Sequence, residues 1–376
     1  MKSLYYGCMP AERDGGAVVF YYQLRKMYEL DKTNEYYLIP KVKSQVDKTA
    51  LPFAKFVFPN KKEYIPQLME KLGIKTFWSF HIANGLDELV DPIHEVDGKI
   101  INWQTIHWTT DMIFTMENIK KIDYWVAPTN YARSVLNQIG KIPSVKISVI
   151  PHGVDREKFY PEPHEMNKFR SEHGISPKTK VILFSGRLDT WKGIQNVIPV
   201  IRYFTEKYDC VFVIKAHPDE NSKISLGLDL IFSTIASRNP KVFYSPKWVK
   251  PEEMENIFHS LDILLSPTGH EGFNVPLIES MACGKPVLTT NLTNHREIVG
   301  KAGLMFKPTV KVGVCDKVQP IKVLSPQQIK DGLEYLLQNP ELCEEMGEIG
   351  KERVKKYFDL EKVSMAWLEL LKYVEG

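Results

Sequence analysis

Several common signatures are missing from this chain of 376 residues. Its five cysteines are far apart, odd in number and form no C-x-x-C pair, which argues against a disulfide framework and a zinc site. No apolar run is long enough to span a bilayer, and the first residues lack the apolar core of a signal peptide. The sequence therefore predicts an intracellular protein with buried or neutral thiols.

The motifs of several enzyme classes are also absent. Without a G-x-G-x-x-G fingerprint a dinucleotide-dependent hydride transfer is disfavoured, and no G-x-S-x-G elbow indicates a hydrolase. No Asp-x-Asp pair, H-E-x-x-H or clustered ligand set occurs, so no catalytic metal is expected. The net charge of +3 is too small to imply a nucleic-acid partner. What remains is an ordinary globular composition with enough length for two domains.

Two α/β patterns follow each other along the chain. Before residue 150, apolar strand-like runs alternate with helical periodicities, which predicts a parallel sheet with helices on both faces. The segment Pro151-His-Gly-Val-Asp155 interrupts this pattern, and the same alternation starts afresh at Lys180. Two such units, hinged together, would leave a cleft between their strand ends.

Three further segments of the second half give expectations about secondary structure. A helix is predicted from about Gly193 to Lys207, and a long helical pattern runs from about Glu341 to Val374. Residues 309–324 fit neither the helical nor the strand period, and we interpret them as an inserted loop or hairpin.

The most informative motif runs from Glu271 to Glu279. A buried strand is predicted just before it, and Pro276 suits a first helical turn, so Glu271 lies in a loop and Glu279 inside a helix. In a βαβ unit this loop follows the carboxyl end of a parallel strand, where open α/β sheets bind ligands.

The start of that helix is a predicted anion site. Asn274 is the expected N-cap, and Gly284 is the expected stop. The backbone N–H groups of Phe273, Asn274 and Val275 would face an anionic ligand, because the first N–H groups of a helix have no partner within it.

A second motif, Ser185 to Gly193, follows another predicted strand and precedes a helix. Arg187 and Lys192 offer it a fixed and a mobile positive charge, which suits a diphosphate. An isolated pair of such side chains is more often simply solvated. Their position at a strand end in the same half as Glu271 favours the binding interpretation.

The first half carries weaker signals. Asp14-Gly-Gly16 stands between a strand and a helix and is either a plain tight turn or a ligand loop. His81 and His107 end or follow strands, where a lone histidine is usually structural. Aromatic neighbours, namely Trp78, Trp103 and Trp108, would suit a sugar ring beside these polar groups.

A basic segment extends from Lys41 to Lys75, with eight lysines against three acidic residues, a local charge of +8 − 3 = +5. The simpler interpretation is a solvated face. The sharper one is a docking surface for the inner membrane leaflet or a site for an acidic or lipid-phosphate acceptor.

Taken together, the sequence resembles the retaining glycosyltransferases of family 4, which have the GT-B fold of two Rossmann-like α/β domains facing across a cleft. The segments that carry the resemblance are Gly15-Gly16, Pro151 to Asp155, Ser185 to Arg187 with Lys192-Gly193, Glu271 to Glu279, Ala282 to Val287, and Glu297 to Gly303. They extend over nearly the whole chain and are more specific in its second half. The implied domains are an N-terminal, acceptor-side domain over 1–155, a C-terminal, nucleotide-sugar domain over 156–358, and a helix over 359–376 that can cross back to the first domain.

The resemblance implies roles for residues of the second half. The loop glutamate contacts hydroxyls of the donor sugar and corresponds to Glu271, and the helical glutamate holds the ribose hydroxyls and corresponds to Glu279. Arg187 and Lys192 match the positions that bind the diphosphate. Asn274 departs from the family pattern, since many members have a further glycine there.

Other site residues are implied with them. Gly16 matches the glycine that approaches the diphosphate, and His107 matches the histidine that contacts the donor sugar, with His81 as the second candidate. Base contacts are expected from the segment that includes Lys247 and Val249.

The implied reaction moves a hexose of glucose or mannose type from a UDP- or GDP-sugar to a sugar, lipid-linked or small-molecule acceptor. The anomeric configuration is retained, the leaving diphosphate serves as the base, and neither metal nor cofactor is required. Alternatives are a nucleotide-sugar epimerase, a glycoside phosphorylase and a non-catalytic nucleotide-sugar-binding subunit. The expected location is cytoplasmic, with peripheral contact to the inner membrane face under the sharper interpretation of the basic segment.

Overall fold

The computed structural model describes residues 1–7, 15–40, 51–59, 61–80, 87–104, 120–247, 249, 253–315 and 319–376. The chain forms two compact units. One consists of Met1–Asp155 with Tyr357–Gly376, and the other of Arg156–Lys356. The chain thus returns to the first unit at Tyr357, two residues before the segment 359–376 that the sequence analysis assigned to the return.

The first unit contains a parallel seven-stranded sheet in the order β3-β2-β1-β4-β5-β6-β7. Its strands are β1 (Lys2–Gly7), β2 (Glu35–Pro40), β3 (Lys55–Phe56), β4 (Thr76–Phe80), β5 (Lys99–Trp103), β6 (Tyr124–Ala127) and β7 (Ile147–Val149). Its helices are α1 (Gly15–Leu30), α2 (Ile65–Leu72), α3 (Val90–Glu95), α4 (Asn130–Gln138) and α13 (Leu360–Glu375). The strands are short and largely buried, as expected for a sheet covered on both faces.

Aromatic side chains tie α13 to this unit. Trp78 and Trp103 are each 1% exposed, and their ring centroids lie 5.4 and 4.9 Å from that of Trp367. Gln23 of α1 also donates a hydrogen bond of 2.8 Å from Nε2 to Ser364 Oγ. The prediction that Trp78 and Trp103 lie beside a sugar is wrong, because both rings are enclosed in the core. Trp108 lies outside the described residues.

The second unit contains a parallel six-stranded sheet in the order β10-β9-β8-β11-β12-β13. These strands are β8 (Lys180–Arg187), β9 (Cys210–His217), β10 (Val242–Ser245), β11 (Ile263–Ser266), β12 (Val287–Thr290) and β13 (Gly303–Phe306). Strand β8 pairs with β9 on one side and with β11 on the other. The winding direction therefore reverses between β8 and β11, and loops at the carboxyl ends of these two strands border a ligand crevice in folds of this kind.

The helices of the second unit follow the predicted alternation. They are α5 (Lys168–Glu172), α6 (Ile198–Lys207), α7 (Lys223–Arg238), α8 (Met254–Ser260), α9 (Val275–Ala282), α10 (Thr293–Val299), α11 (Pro326–Gln338) and α12 (Pro340–Arg353). The helix predicted from Gly193 begins instead with a 3-10 turn, Ile194–Asn196, because the α-helix starts only where Pro199 can occupy its first turn.

The long helix predicted from Glu341 to Val374 is also interrupted. Helix α12 ends at Arg353, a π-helical turn covers Val354–Phe358, and α13 begins at Leu360. Asp359 caps α13, since its Oδ1 accepts hydrogen bonds from the N–H groups of Glu361 and Lys362 at 3.1 and 3.3 Å. The break lies where the chain passes from the second unit back to the first.

Residues 309–324 contain an antiparallel hairpin of β14 (Val310–Cys315) and β15 (Gln319–Val323). The Leu324 N–H donates to the carbonyl of Pro267 at 3.2 Å, and Gly269 lies against the carbonyl of Lys322. The hairpin therefore packs on the loop that follows β11.

Candidate functional site

The carboxyl ends of β8 and β11 bring two opposite charges into contact. Lys192 belongs to a 3-10 turn after β8, and Glu271 lies in the loop after β11. Their Nζ and Oε1 atoms are 2.5 Å apart, and the side chains are 20% and 10% exposed. At this degree of burial the solvent screens the pair only partly. Both residues were predicted for this edge of the sheet, and here they meet directly.

Arg187, the last residue of β8, carries a second positive charge into the same loop. Its Nε lies 2.9 Å from Oδ2 of Asp189, and its Cζ is 5.4 Å from the ring centroid of Trp191. Burial raises the pKa of Asp189, and the charge of Arg187 opposes that shift. The guanidinium is thus held from two sides, while about half of the side chain remains exposed.

The start of α9 is built differently from the prediction. Asn274 occupies the N-cap position with φ +82° and ψ +70°, but its side chain does not cap the helix. Its Nδ2 instead donates to Ser266 Oγ at 3.0 Å and lies 3.3 Å from Nε2 of His295. The expected side-chain cap is therefore wrong. Phe273 and Val275 stand at this helix terminus, and Phe273 is buried.

Helix α10 supplies two residues that the sequence analysis missed. Nδ2 of Asn294 donates to the carbonyl oxygen of Glu271 at 2.9 Å, and His295 faces Asn274. Both side chains are at most 1% exposed. The available signal was an Asn-His pair shortly after the end of a buried strand, β12, which is the same placement that identified the other motifs.

Glu279 lies inside α9, as predicted, and its charge interacts with that of Lys215 on β9. Loss of solvation on burial raises the pKa of Glu279 to about 8, and the positive charge of Lys215 opposes this shift. Burial lowers the pKa of Lys215, and Glu279 counteracts this. Lys215, at 5% exposure, is a further residue that sequence reasoning missed, because it stands within an apolar strand.

A pocket of about 500 Å³ extends from Lys215 along β9 and β10. Phe169, Phe243 and Val213 contribute apolar surface, and Val249 stands among the lining residues. Val249 was expected to contact the base. The pocket thus combines apolar walls with a buried cation.

Of the predicted site residues of the first unit, Gly16 lies within the described residues. Gly16 is the second residue of α1. His81 and His107 lie outside the described residues, as does Asp14. Within the described part of the chain, no cluster of three or more His, Cys, Asp or Glu side chains could hold a metal ion.

Comparison with known proteins identifies the family. The family model described as "Glycosyl transferases group 1" matches residues 165–353, just over half of the chain. This protein therefore belongs to the group 1 glycosyltransferases. It is similar to the trehalose synthase of Pyrococcus horikoshii, with 26% identity over 223 residues, covering 56% of this chain and 48% of that protein. The chain spans about half the length of the curated relatives it matches.

Solved structures share the fold over the whole chain. A glycosyltransferase from Rickettsia africae aligns with a TM-score of 0.80 at 16% identity, covering 100% of this chain and 99% of that one. The Anabaena protein Alr3699/HepE, solved in complex with UDP-glucose, aligns with a TM-score of 0.76 at 13% identity, covering 99% and 100%. The two parallel-sheet units are thus the Rossmann-like domains of a GT-B glycosyltransferase fold.

Proposed function

We propose that this protein transfers a hexose of glucose or mannose type from a UDP- or GDP-sugar to an acceptor hydroxyl, with retention of the anomeric configuration. The observation that carries the proposal is the contact between Lys192 and Glu271 at the carboxyl ends of β8 and β11. Lys192 offers a positive charge for phosphate, and Glu271 offers a carboxylate for sugar hydroxyls. Both lie at the strand ends where such sheets bind ligands. The UDP-glucose bound by the Anabaena protein of the same fold supports this class of donor.

Under this proposal each part of the donor binds to a separate part of the second unit. In this arrangement Arg187 and Lys192 bind the diphosphate at the N-terminus of α9, and Glu271 binds hydroxyls of the transferred sugar. Glu279 contacts the ribose, and the adjoining pocket that includes Val249 receives the base. Lys215 lines that pocket, and its positive charge opposes the rise in the pKa of Glu279, which supports this order of subsites.

The proposed chemistry needs no side chain as a base. As the bond between the anomeric carbon and the phosphate oxygen breaks, positive charge develops on the sugar ring and negative charge on the diphosphate. Fixed cations and helix N–H groups stabilise that negative charge where it forms. The acceptor oxygen bonds to the same face of the sugar, and its proton passes to an oxygen of the leaving diphosphate. Under this proposal no metal takes part.

A thermal-shift panel of UDP-, GDP- and ADP-sugars tests donor binding. A donor at about 100 times its Kd should stabilise the protein by roughly 2.7 kcal/mol. Turnover of the stabilising donor is then measured with sugar and lipid-linked acceptors, and the anomeric configuration of the product by NMR. EDTA should leave the rate unchanged, and rescue of an EDTA-inactivated enzyme by Mg²⁺ or Mn²⁺ would contradict metal independence.

The alternatives give different products in the same assay. Release of a sugar 1-phosphate that depends on free phosphate would identify a phosphorylase, and an isomerised nucleotide sugar without acceptor would identify an epimerase. Donor binding with neither transfer nor slow hydrolysis would identify a non-catalytic subunit.

We further propose that the acceptor side docks on an anionic membrane through the basic segment. None of the described helices is long and apolar enough to cross a membrane. Within the described part of the segment, Lys55 pairs with Glu35, and Lys75 pairs with Asp97 at 2.9 Å. Lys61, Lys62 and Lys71 are exposed, and we propose that the adjacent Lys61 and Lys62 contact lipid phosphates.

A further inference from the structure

The loop from Glu271 to Asn274 is held at both ends by consecutive residues of α10. At one end, Asn294 Nδ2 donates to the carbonyl oxygen of Glu271 at 2.9 Å. At the other, Asn274 Nδ2 lies 3.3 Å from Nε2 of His295. Because Asn294 and His295 are both buried, water competes little for the groups that form these hydrogen bonds.

The hydrogen-bond partners of His295 determine which of its nitrogens carries the hydrogen. Its Nδ1 faces the carbonyl of Thr290 at 3.1 Å and the hydroxyls of Thr289 and Thr290 at 3.3 and 3.2 Å. Those hydroxyls donate their own hydrogens to the carbonyls of Ser266 and Thr268, each at 2.8 Å. All three groups are therefore acceptors toward Nδ1, which must be the N–H donor.

Nε2 of His295 is consequently left as a hydrogen-bond acceptor, and Asn274 supplies the donor. The two hydrogens of the Asn274 amide then go to His295 Nε2 and to Ser266 Oγ. This fixes a side chain whose backbone has a positive φ, a conformation that non-glycine residues rarely adopt. Burial lowers the pKa of His295, which keeps the ring neutral and Nε2 able to accept.

We propose that Asn294 and His295 are positioning residues of the donor site, which act through the Glu271 backbone and the Asn274 side chain to hold the loop between β11 and α9. The inference rests on the proposed function, since it assigns the loop a role in sugar transfer. Glycine could adopt the same backbone conformation, but without a side chain it could not link the loop to α10 and would leave the loop more freedom to move. The pair fixes where the carboxylate of Glu271 and the first N–H groups of α9 point.

We call the hold of Asn294 and His295 on the loop from Glu271 to Asn274 the clamp. Four variants of the full chain test it, each assayed with the donor that the wild type turns over. His295→Leu removes both ring nitrogens at similar size, and His295→Gln restores one acceptor oxygen. Asn274→Gly keeps the left-handed backbone accessible but removes the side-chain link. The matched control is His259→Leu, since His259 is equally enclosed but bonds through Nε2 to the Lys158 carbonyl, at 2.8 Å, outside the loop.

We expect His295→Leu and Asn274→Gly to lower kcat by about 100-fold, because small misplacements of reacting groups have effects of that size. The KM for the donor should change much less. His295→Gln should recover most of the lost kcat, and His259→Leu should lower the Tm while leaving kcat at the wild-type value.

Wild-type kcat in Asn274→Gly would overturn the clamp, and this variant decides the matter if His295→Leu fails to fold. Equal losses of kcat in His295→Leu and His259→Leu would also overturn it, since they would indicate a general effect on stability. Absence of turnover in the wild type with every donor and acceptor would instead overturn the proposed function, and the clamp with it.

Discussion

The two glutamates of one short motif have different surroundings. Glu271 contacts the ammonium of Lys192 in the loop after β11, whereas Glu279 lies within α9 and interacts with Lys215. A carboxylate that touches the transferred sugar gains contacts as charge develops in the transition state, whereas one that touches the ribose binds substrate and transition state alike. Their replacement should therefore have different kinetic consequences.

Glu271→Ala should lower kcat by roughly two to three orders of magnitude and leave the affinity for the nucleoside diphosphate nearly unchanged. Glu279→Ala should mainly weaken nucleotide binding. Steady-state kinetics and calorimetric titration with UDP and GDP measure the two effects. If both variants lose kcat and nucleotide affinity in the same proportion, the assignment of sugar and ribose to separate glutamates is wrong.

The raised pKa of Glu279 predicts a pH-dependent stability. The pKa is about 8 in the folded chain, against 4.5 for a free glutamate side chain, so the folded state binds an extra proton between these pH values. The free energy of unfolding should therefore decrease as the pH rises from about 4.5 to about 8. Glu279→Gln cannot ionise and should gain stability relative to the wild type between pH 5 and pH 8. Thermal unfolding at both pH values tests this, and a constant difference in Tm would contradict it.

Hairpin β14–β15 borders the loop after β11 but contributes no predicted site residue. The Lys322 carbonyl lies so near Gly269 that any side chain there would strike backbone. The hairpin therefore supports the loop that contains Glu271 from outside the parallel sheet.

Gly269→Ala should force the hairpin and the loop apart. We expect a loss of about 1–3 kcal/mol in the free energy of unfolding, together with a lower kcat. Gly227→Ala in α7 is a matched control, because a methyl group there meets no atom within 4 Å and should be neutral or stabilising by up to about 1 kcal/mol. Denaturant titration compares the two, and equal unfolding midpoints would show that the packing at Gly269 is loose.

The elements that sequence reasoning recovered are those with a local signal. Alternating apolar runs predicted the strands that precede Arg187 and Glu271, and hence the side of the sheet on which both lie. The link from Asn274 to His295 was not predictable, because it joins the start of α9 to α10, and these elements meet only in the folded chain. The break at Asp359 was missed because the helical periodicity continues through it.

At the scale of the whole molecule, the charge of the basic segment is partly neutralised by acids from outside it. Lys55 and Lys75 have partners, Glu35 and Asp97, that the local count of +5 does not include. Membrane docking would then depend on the exposed lysines outside these two ion pairs and would weaken as salt shortens the Debye length, which is about 8 Å at physiological ionic strength.

Binding to anionic vesicles should decrease between low and high salt, and should be lost when Lys61 and Lys62 are both changed to Glu. Each lysine near the surface contributes about 1 kcal/mol. Lys301→Glu with Lys307→Glu makes the same charge change at exposed positions of the second unit and should retain binding. Co-sedimentation measures both variants, and equal binding to neutral and anionic vesicles would leave the segment as a solvated face.

The return of the chain to its first unit has a consequence for biosynthesis. Residues 1–155 leave the ribosome first, but Trp367, which packs against Trp78 and Trp103, is translated only after the whole second unit. Until then the nascent first unit lacks the contacts that Trp367 makes with these two indoles, whereas residues 156–356 are contiguous and can fold as soon as they emerge. Residues 156–356 should therefore complete their fold before the first unit does. Chaperones should find exposed apolar surface on residues 1–155.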